Sequence, residues 1–294
     1  GRPGRAPRAR HPGCRLRGTA MIRADLHNHT LASHGTASAG DMVAAARAAG
    51  LAWFGLSEHS PLPEGFHCAL YKGDLARDFP RYAADVLRLR ETAPPEGPRV
   101  LLGLELDWLP SRQAYMRELV AAWPFDYVLG SLHYLDGMSV GAPASWSARV
   151  SNAERRARFA AYFYEMASMA RSGLVQVAAH PDFIKLRAWD EFHAWLESPE
   201  SRAPLMAALE ALAASGTAME VSAAGLRQDF AEPYPAPPVM RLAREAGVDI
   251  CFGSDAHAPE DVGRQFARLG GYARSFGFTD SVIFINRERR RLAF

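Results

Sequence analysis

Short apolar runs alternate with longer amphipathic stretches along almost the whole chain. The runs at Ile22–Leu26, Trp53–Ser57, Val100–Glu105, Tyr127–Ser131, Val175–Ala179, Ala218–Val221 and Val248–Gly253 lack the polar alternation of a half-exposed strand. Continuous apolar runs of this length fit strands covered on both faces, as in parallel sheets. A further run, Ser281–Ile285, is a candidate eighth strand. Helical patterns fill the intervals. Asp41 reads as the cap of a run to Ala49 that Gly50 ends, and Asp74 as the cap of a helix to about Glu91. Further helices are expected at Ser111–Ala122, Ser151–Ser172, Pro199–Ser215, Pro237–Ala246 and Glu260–Phe276.

This alternation predicts an α/β chain, with one barrel domain over residues 21–294. A barrel of this kind takes about 250 residues. Two inserts, residues 60–73 and 132–150, break the rhythm and are rich in Gly, Pro and Ser. Both follow strand ends, the face where barrel loops carry function, so both are candidate substrate lids.

Composition changes the picture little: 48% hydrophobic and 22% charged residues describe an ordinary globular chain with ample core. No apolar run approaches the roughly 18 residues that a membrane span needs. Charge is more informative. The formal net charge is +2, but residues 1–20 hold six Arg and no acid, so residues 21–294 carry 28 basic against 32 acidic side chains. A mildly acidic body offers no broad footprint for nucleic acid. Residues 1–20 read as a disordered basic leader ahead of Met21, without the apolar core of a secretory signal or the amphipathic pattern of an organelle-targeting segment. Cys14, Cys68 and Cys251 are scattered with no paired spacing, which favours a cytoplasmic enzyme over a disulfide framework.

The candidate chemistry sits where the strands end. His27, His29 and His34 follow the first, Glu58 and His59 the second; Glu105 ends the third; His133 follows the fourth, His180 the fifth, and Asp255 and His257 the seventh. Residues two apart on an extended segment share a face, so His27 and His29 can grip one ion, and Asp255 and His257 could meet them across a barrel mouth. A single histidine at a strand end is more often a satisfied polar residue than a ligand. Seven of the ten histidines sorting to strand C-termini, with only His11, His67 and His193 elsewhere, is a pattern that scatter does not produce. Imidazole and carboxylate together suit zinc, iron or manganese. An ion takes about three or four protein groups, so this set predicts two to three divalent ions with a bridging carboxylate. Glu105 is the natural bridge, because a carboxylate offers two oxygens.

Seven segments carry a family resemblance: DLHNHTLASHG, LSEHSPLP, LLGLELDW, YVLGSLHYLDG, AAHPDFIKL, EVSAAGLRQ with the following YPAPPVM, and FGSDAH. Taken in order, the chain resembles the PHP (polymerase and histidinol phosphatase) superfamily, in its histidinol-phosphate phosphatase branch. The resemblance implies a distorted (β/α)7 barrel with three ions. By motif, His27, His29, Glu105 and Asp255 hold the first, Glu105, His133 and His180 the second, and His34, His59 and His257 the third. It further implies that Arg227, in GLR, grips a substrate phosphate, with Lys185 and Arg158 as candidate second cations; the reading of either as a surface charge stands beside this. Glu58 is expected to orient a neighbouring ligand. Trp108, Tyr134 and Phe183 are either pocket walls for an imidazole ring or barrel packing.

The implied reaction is hydrolysis of L-histidinol phosphate to L-histidinol and phosphate by in-line attack of a metal-activated water. Asp255 and His257 belong with Glu105 and Arg227 to the catalytic set. No Ser, Asp or Cys lies in a nucleophile motif, so no covalent phosphoenzyme is expected. The partner is a small phosphate ester, without nucleic acid or membrane. A phosphoesterase acting on nucleotides or nucleic-acid ends is the rival within the superfamily, and a non-catalytic metal-storing barrel the rival outside enzymes.

Overall fold

The computed structural model describes residues 21–294; the expected basic leader lies outside the described residues. Seven strands form one sheet in the order β1 (Ala24–Asp25), β2 (Trp53–Leu56), β3 (Arg99–Asp107), β4 (Tyr127–Ser131), β7 (Val177–Ala178), β8 (Ala218–Ser222) and β9 (Ile250–Gly253). Every pairing within it is parallel. The first and last strands meet across a seam: Leu26 N donates to Phe252 O at 3.0 Å and His29 N to Ala256 O at 2.9 Å. The sheet is therefore a nearly closed, distorted (β/α)7 barrel. Its strands are short because the chain turns polar as soon as it clears the core, and those polar residues are the ones of chemical interest.

Helices α1 (Ala39–Ala48), α2 (Leu75–Thr92), α3 (Gln113–Ala121), α4 (Asn152–Arg171), α5 (Trp189–Leu196), α6 (Arg202–Ser215), α7 (Pro237–Glu245) and α8 (Phe266–Ser275) lie along the chain between or after these strands. The cap of α1 is Ser38 rather than Asp41; Asp41 is the third helical residue of a capping box and bonds back to Ser38. Asp74 caps α2 as expected, its side chain accepting from Arg77 N. The helix expected from Glu260 begins only at Phe266, because Gly263 and Gln265 adopt left-handed backbone angles (φ +64° and +66°) that end the preceding turn. The short α5 was not anticipated.

Ser281–Ile285 is a strand, but not of the barrel. It belongs to β10 (Asp280–Ile285), which pairs antiparallel with β11 (Glu288–Ala293). Val282, Ile283 and Phe284 pack with Leu101, Tyr127, Val177 and Cys251 of the barrel interior. Arg287 N donates to Asp126 O, just before β4, at 2.7 Å, so the hairpin plugs the N-terminal end of the barrel, opposite the metal-capable residues.

The second insert folds into a small hairpin, β5 (Tyr134–Leu135) with β6 (Met138–Ser139), and a turn at Pro143–Trp146. The two inserts touch: Tyr134 Oη donates to His67 O at 2.9 Å, and its ring meets Phe66 edge-on at 5.3 Å.

Inside the barrel, Tyr127 crosses from β4 to β1, donating to Leu26 O at 2.5 Å. It fits because β2 and β3 present glycines: a Cβ on Gly55 would lie 1.8 Å from Tyr127 Oη, and one on Gly103 2.5 Å from its Cζ. Gly55→Ala should therefore cost about 1–3 kcal/mol by overpacking. In urea melts, Gly55→Ala combined with Tyr127→Phe should lose less than the two single losses added, because the phenol oxygen is the nearest clash; strict additivity would contradict this packing.

Candidate metal centre

β1 leads into an extended stretch in which His27 and His29 share one face, as their spacing requires. Asp25 fixes that stretch to the opposite side of the seam, accepting from Ser254 N at 2.9 Å, Ser254 Oγ at 2.6 Å and Gly263 N at 3.1 Å. Asn28, facing away, donates to Gly55 O at 3.0 Å. Two residues of the centre sit on left-handed backbone: His180 (φ +25°) and Asp255 (φ +52°). Neither is glycine, so each costs about 1–3 kcal/mol that the surrounding bonds must offset. Arg227 supplies part of this at Asp255, donating from Nη1 to Ser254 O at 2.9 Å and from Nη2 to Asp255 O at 2.8 Å.

Glu105, buried at the end of β3, is the hub. Its Oε2 lies 3.4 Å from His27 Nε2, 3.3 Å from His29 Nε2 and 2.7 Å from His59 Nδ1. Its Oε1 lies 2.9 Å from His180 Nε2 and 3.6 Å from His133 Nε2, and accepts from Ser131 Oγ at 2.5 Å. Asp255 Oδ1 stands 3.3 Å from His29 Nε2 and 3.8 Å from His27 Nε2. His34 Nε2 is 2.9 Å from His59 Nε2, and the His34 ring stacks on that of His257 at 4.2 Å.

Three of these imidazoles are oriented by outer carboxylates. His27 Nδ1 bonds Glu220 at 2.9 Å, His29 Nδ1 bonds Glu58 at 3.2 Å, and His133 Nδ1 bonds Asp107 at 2.8 Å. With Nδ1 held as the donor, each Nε2 turns its lone pair inward. Carboxylate–imidazole pairs of this kind fix ligand tautomers at metal sites.

The inward atoms pass a test for a metal. His27 Nε2, His29 Nε2, His59 Nδ1, His257 Nε2 and Glu105 Oε2 are buried without a hydrogen-bond partner among the described residues, which is costly for polar atoms. Several of their separations, 3.3–3.8 Å, exceed a good hydrogen bond. They match instead the roughly 3.4 Å edge of a tetrahedron whose bonds are about 2.1 Å.

The charges agree. For His27, burial alone would lower the pKa, but Glu220, Glu105 and Asp255 outweigh it and raise it well above the ordinary value. Burial likewise opposes His29, yet the Asp255 and Glu58 carboxylates push it up to about 9. His34 falls to about 3, chiefly through burial and then through His59 and His257. His257 falls to about 4, through burial and then His29. Burial would raise Glu105, but His59, His27 and His133 hold it well below the carboxylate range. A buried cluster of ionised acids thus demands positive charge from its surroundings.

The donor atoms converge in overlapping groups: His27, His29 and Glu105; Glu105, His133 and His180; and His29, His59 and His257. The first two fall within the expected groupings. In the third, His29 stands with His59 and His257, while His34 approaches through His59. A fourth group, His59, Asp107 and His133, and a fifth, His27, His180 and Asp255, were not anticipated.

The PHP domain family matches residues 25–224, and the PHP-associated family residues 238–269. The chain belongs to the PHP family. A relative from Deinococcus radiodurans named "Probable histidinol-phosphatase" is 31% identical over 244 residues, covering 83% of this chain and 89% of its own length. One of the same name from Schizosaccharomyces pombe is 23% identical over 270 residues, covering 88% and 87%. The solved histidinol phosphate phosphatase of Lactococcus lactis, complexed with zinc, L-histidinol and phosphate, superposes with TM-score 0.73 at 17% identity over 92% of this chain and 100% of its own. At that identity the likeness shows the shared fold.

Other expected residues of this PHP protein take different places. Lys185 corrects its expectation as a phosphate cation: it is fully buried, and its ammonium serves Asp182 Oδ2 at 3.1 Å, Glu232 Oε1 at 2.8 Å and Pro233 O at 2.7 Å, which leaves no proton for a ligand. Arg158 is not brought into the cluster either; it bonds Ser145 O and lies 5.8 Å over the Trp146 ring, bracing the second insert. Trp108 is barrel packing, with Nε1 donating to Glu165 at 3.1 Å. Phe183 lies against His180 at 4.9 Å and His133 at 5.2 Å.

Glu220 and Asp107 were missed. Their sequence signal is an acid inside an otherwise apolar run, AMEVS and GLELDW. Glu220 also accepts from His180 N at 2.5 Å, so one carboxylate fixes two histidines. Its place requires Gly253, whose Cβ would meet Glu220 Oε1 at 1.9 Å. Glu220→Gln should weaken divalent-ion affinity about 10–100-fold, read by chelator competition. Unchanged affinity would remove Glu220 from the support of the centre.

Proposed function

We propose that this PHP protein is a metal-dependent phosphomonoesterase that hydrolyses L-histidinol phosphate to L-histidinol and phosphate. The observation that carries the reading is Glu105: a buried carboxylate ringed by inward-facing imidazole nitrogens that have no hydrogen-bond partner. The names of the two relatives and the ligands of the Lactococcus structure support the substrate.

Two to three divalent ions, zinc, iron or manganese, fit this donor set. His27, His29, Glu105 and Asp255 would hold one, Glu105, His133 and His180 a second, and His34, His59 and His257 a third. Such ions polarise phosphoryl oxygens and lower the pKa of a water for in-line attack.

The chain's own groups do the rest. Glu220, Glu58 and Asp107 hold the protons of His27, His29 and His133 at Nδ1, so that each Nε2 stays an acceptor. Arg227 braces the turn at Asp255 with two of its five N–H groups; we assign its remaining donors to the substrate phosphate, where a planar guanidinium suits two oxygens. The inserts at 60–73 and 132–150 would close over the ester. A net acidic body argues against a nucleic-acid backbone as partner, and unpaired Cys68 and Cys251 suit work in the cytoplasm.

The test is phosphate release by metal-replete protein from L-histidinol phosphate, beside a panel of phosphomonoesters and a short oligonucleotide. We expect the highest kcat/KM on L-histidinol phosphate, loss of turnover with a chelator, and loss of both metal and activity in His27→Ala. Preference for oligonucleotide ends would overturn the substrate, and a His27→Ala protein that kept both properties would overturn the ligand set.

A further inference from the structure

Tyr71, at the end of the first insert, carries a hydroxyl with no assigned work. Several other phenols near the barrel are tied down: Tyr127 donates to Leu26 O, Tyr134 to His67 O, Tyr115 to Pro61 O and Tyr272 to Pro235 O; the Tyr162 and Tyr234 hydroxyls have no partner among the described residues but are sealed in the interior. Tyr82 accepts from Glu58 N at 3.1 Å. The Tyr71 hydroxyl has no hydrogen-bond partner among the described residues and is not among the sealed-in polar atoms. Yet the residue is only partly exposed.

Its ring lies 5.4 Å from that of His59 and 6.1 Å from that of His34, nearly parallel to the latter. It is held there rather than swinging freely. Tyr71 N bonds Cys68 O at 3.3 Å, Lys72 N bonds Ser33 O at 3.2 Å, and Lys72 Nζ bonds Gly35 O at 3.2 Å, which ties the insert to the turn that carries His34. Tyr134, from the other insert, pins the same loop at His67.

We propose that Tyr71 is a substrate-binding and catalytic residue whose phenol donates a hydrogen bond to a phosphoryl oxygen of the phosphate monoester held beside His34 and His59. This rests on the reading of the site as a phosphomonoesterase. An O–H donor to a charged oxygen is among the stronger hydrogen bonds, and one aimed at charge that develops on phosphorus oxygens contributes to rate. An ordinary phenol keeps its proton through the neutral range, so the group is a donor there.

The experiment compares metal-loaded wild type with Tyr71→Phe, which removes only an oxygen that has no partner among the described residues. By calorimetry, inorganic phosphate should bind the variant about tenfold more weakly, with metal content and melting temperature unchanged. On the ester, kcat/KM should fall about 10–100-fold, less than for a fully enclosed donor. Equal phosphate affinity in the two proteins would overturn the role of Tyr71 while leaving the phosphatase reading intact; a wild type that binds no phosphate would overturn both.

Discussion

One buried negative charge organises this protein. Glu105 sits at the mouth of the barrel where neither water nor a lysine or arginine reaches it, and a bare carboxylate there would cost several kcal/mol. Imidazoles answer it from β1, β2, β4 and β7, and each of three is in turn aimed by an outer acid, Glu220, Glu58 or Asp107. The result is a nest of lone pairs pointing at common points in space, which is stable only with cations among them. In metal-free protein, protonated His27 and His29 supply part of that charge. A divalent ion would supply it more completely and displace those protons.

The barrel explains why the arrangement is reachable. Parallel strands end together at one face, so residues far apart in sequence, such as His27 and Asp255 on opposite sides of the seam, are brought within a few ångströms without long arms. Precision comes from tight backbone: Gly253 leaves room for Glu220, and Asp25 ties β1 to the turn after β9. The strained angles at His180 and Asp255 are tolerated because Glu220 and Arg227 bond the chain on either side of them. The C-terminal hairpin closes the other end, so the centre opens on the face that carries the two inserts.

Much of this was legible in the sequence. Apolar runs announced the seven barrel strands, since burial on both faces writes itself as continuous hydrophobicity. The histidines stood out because they interrupt that pattern at its C-terminal edges. What stayed hidden depended on distance in space. Glu220 reads as an odd acid in a strand until Gly253 and His27 are seen beside it. Lys185 reads as a ligand cation until Asp182 and Glu232 are found around it. Ser281–Ile285 has the composition of a barrel strand, and only the turn at Asn286–Arg287 and the charged β11 make it half of a hairpin. The cap at Ser38 was missed because Ser and Asp three apart satisfy one another, and either alone looks sufficient.

The central claim is that Glu105 is shared between ions. The most direct measurement is the metal content per chain of wild type and Glu105→Gln, by elemental analysis after dialysis, with circular dichroism to confirm the fold. The account predicts two to three ions in wild type and the joint loss of at least two in the variant, because an amide cannot bridge as a carboxylate does. A folded Glu105→Gln protein that kept its full complement would contradict it.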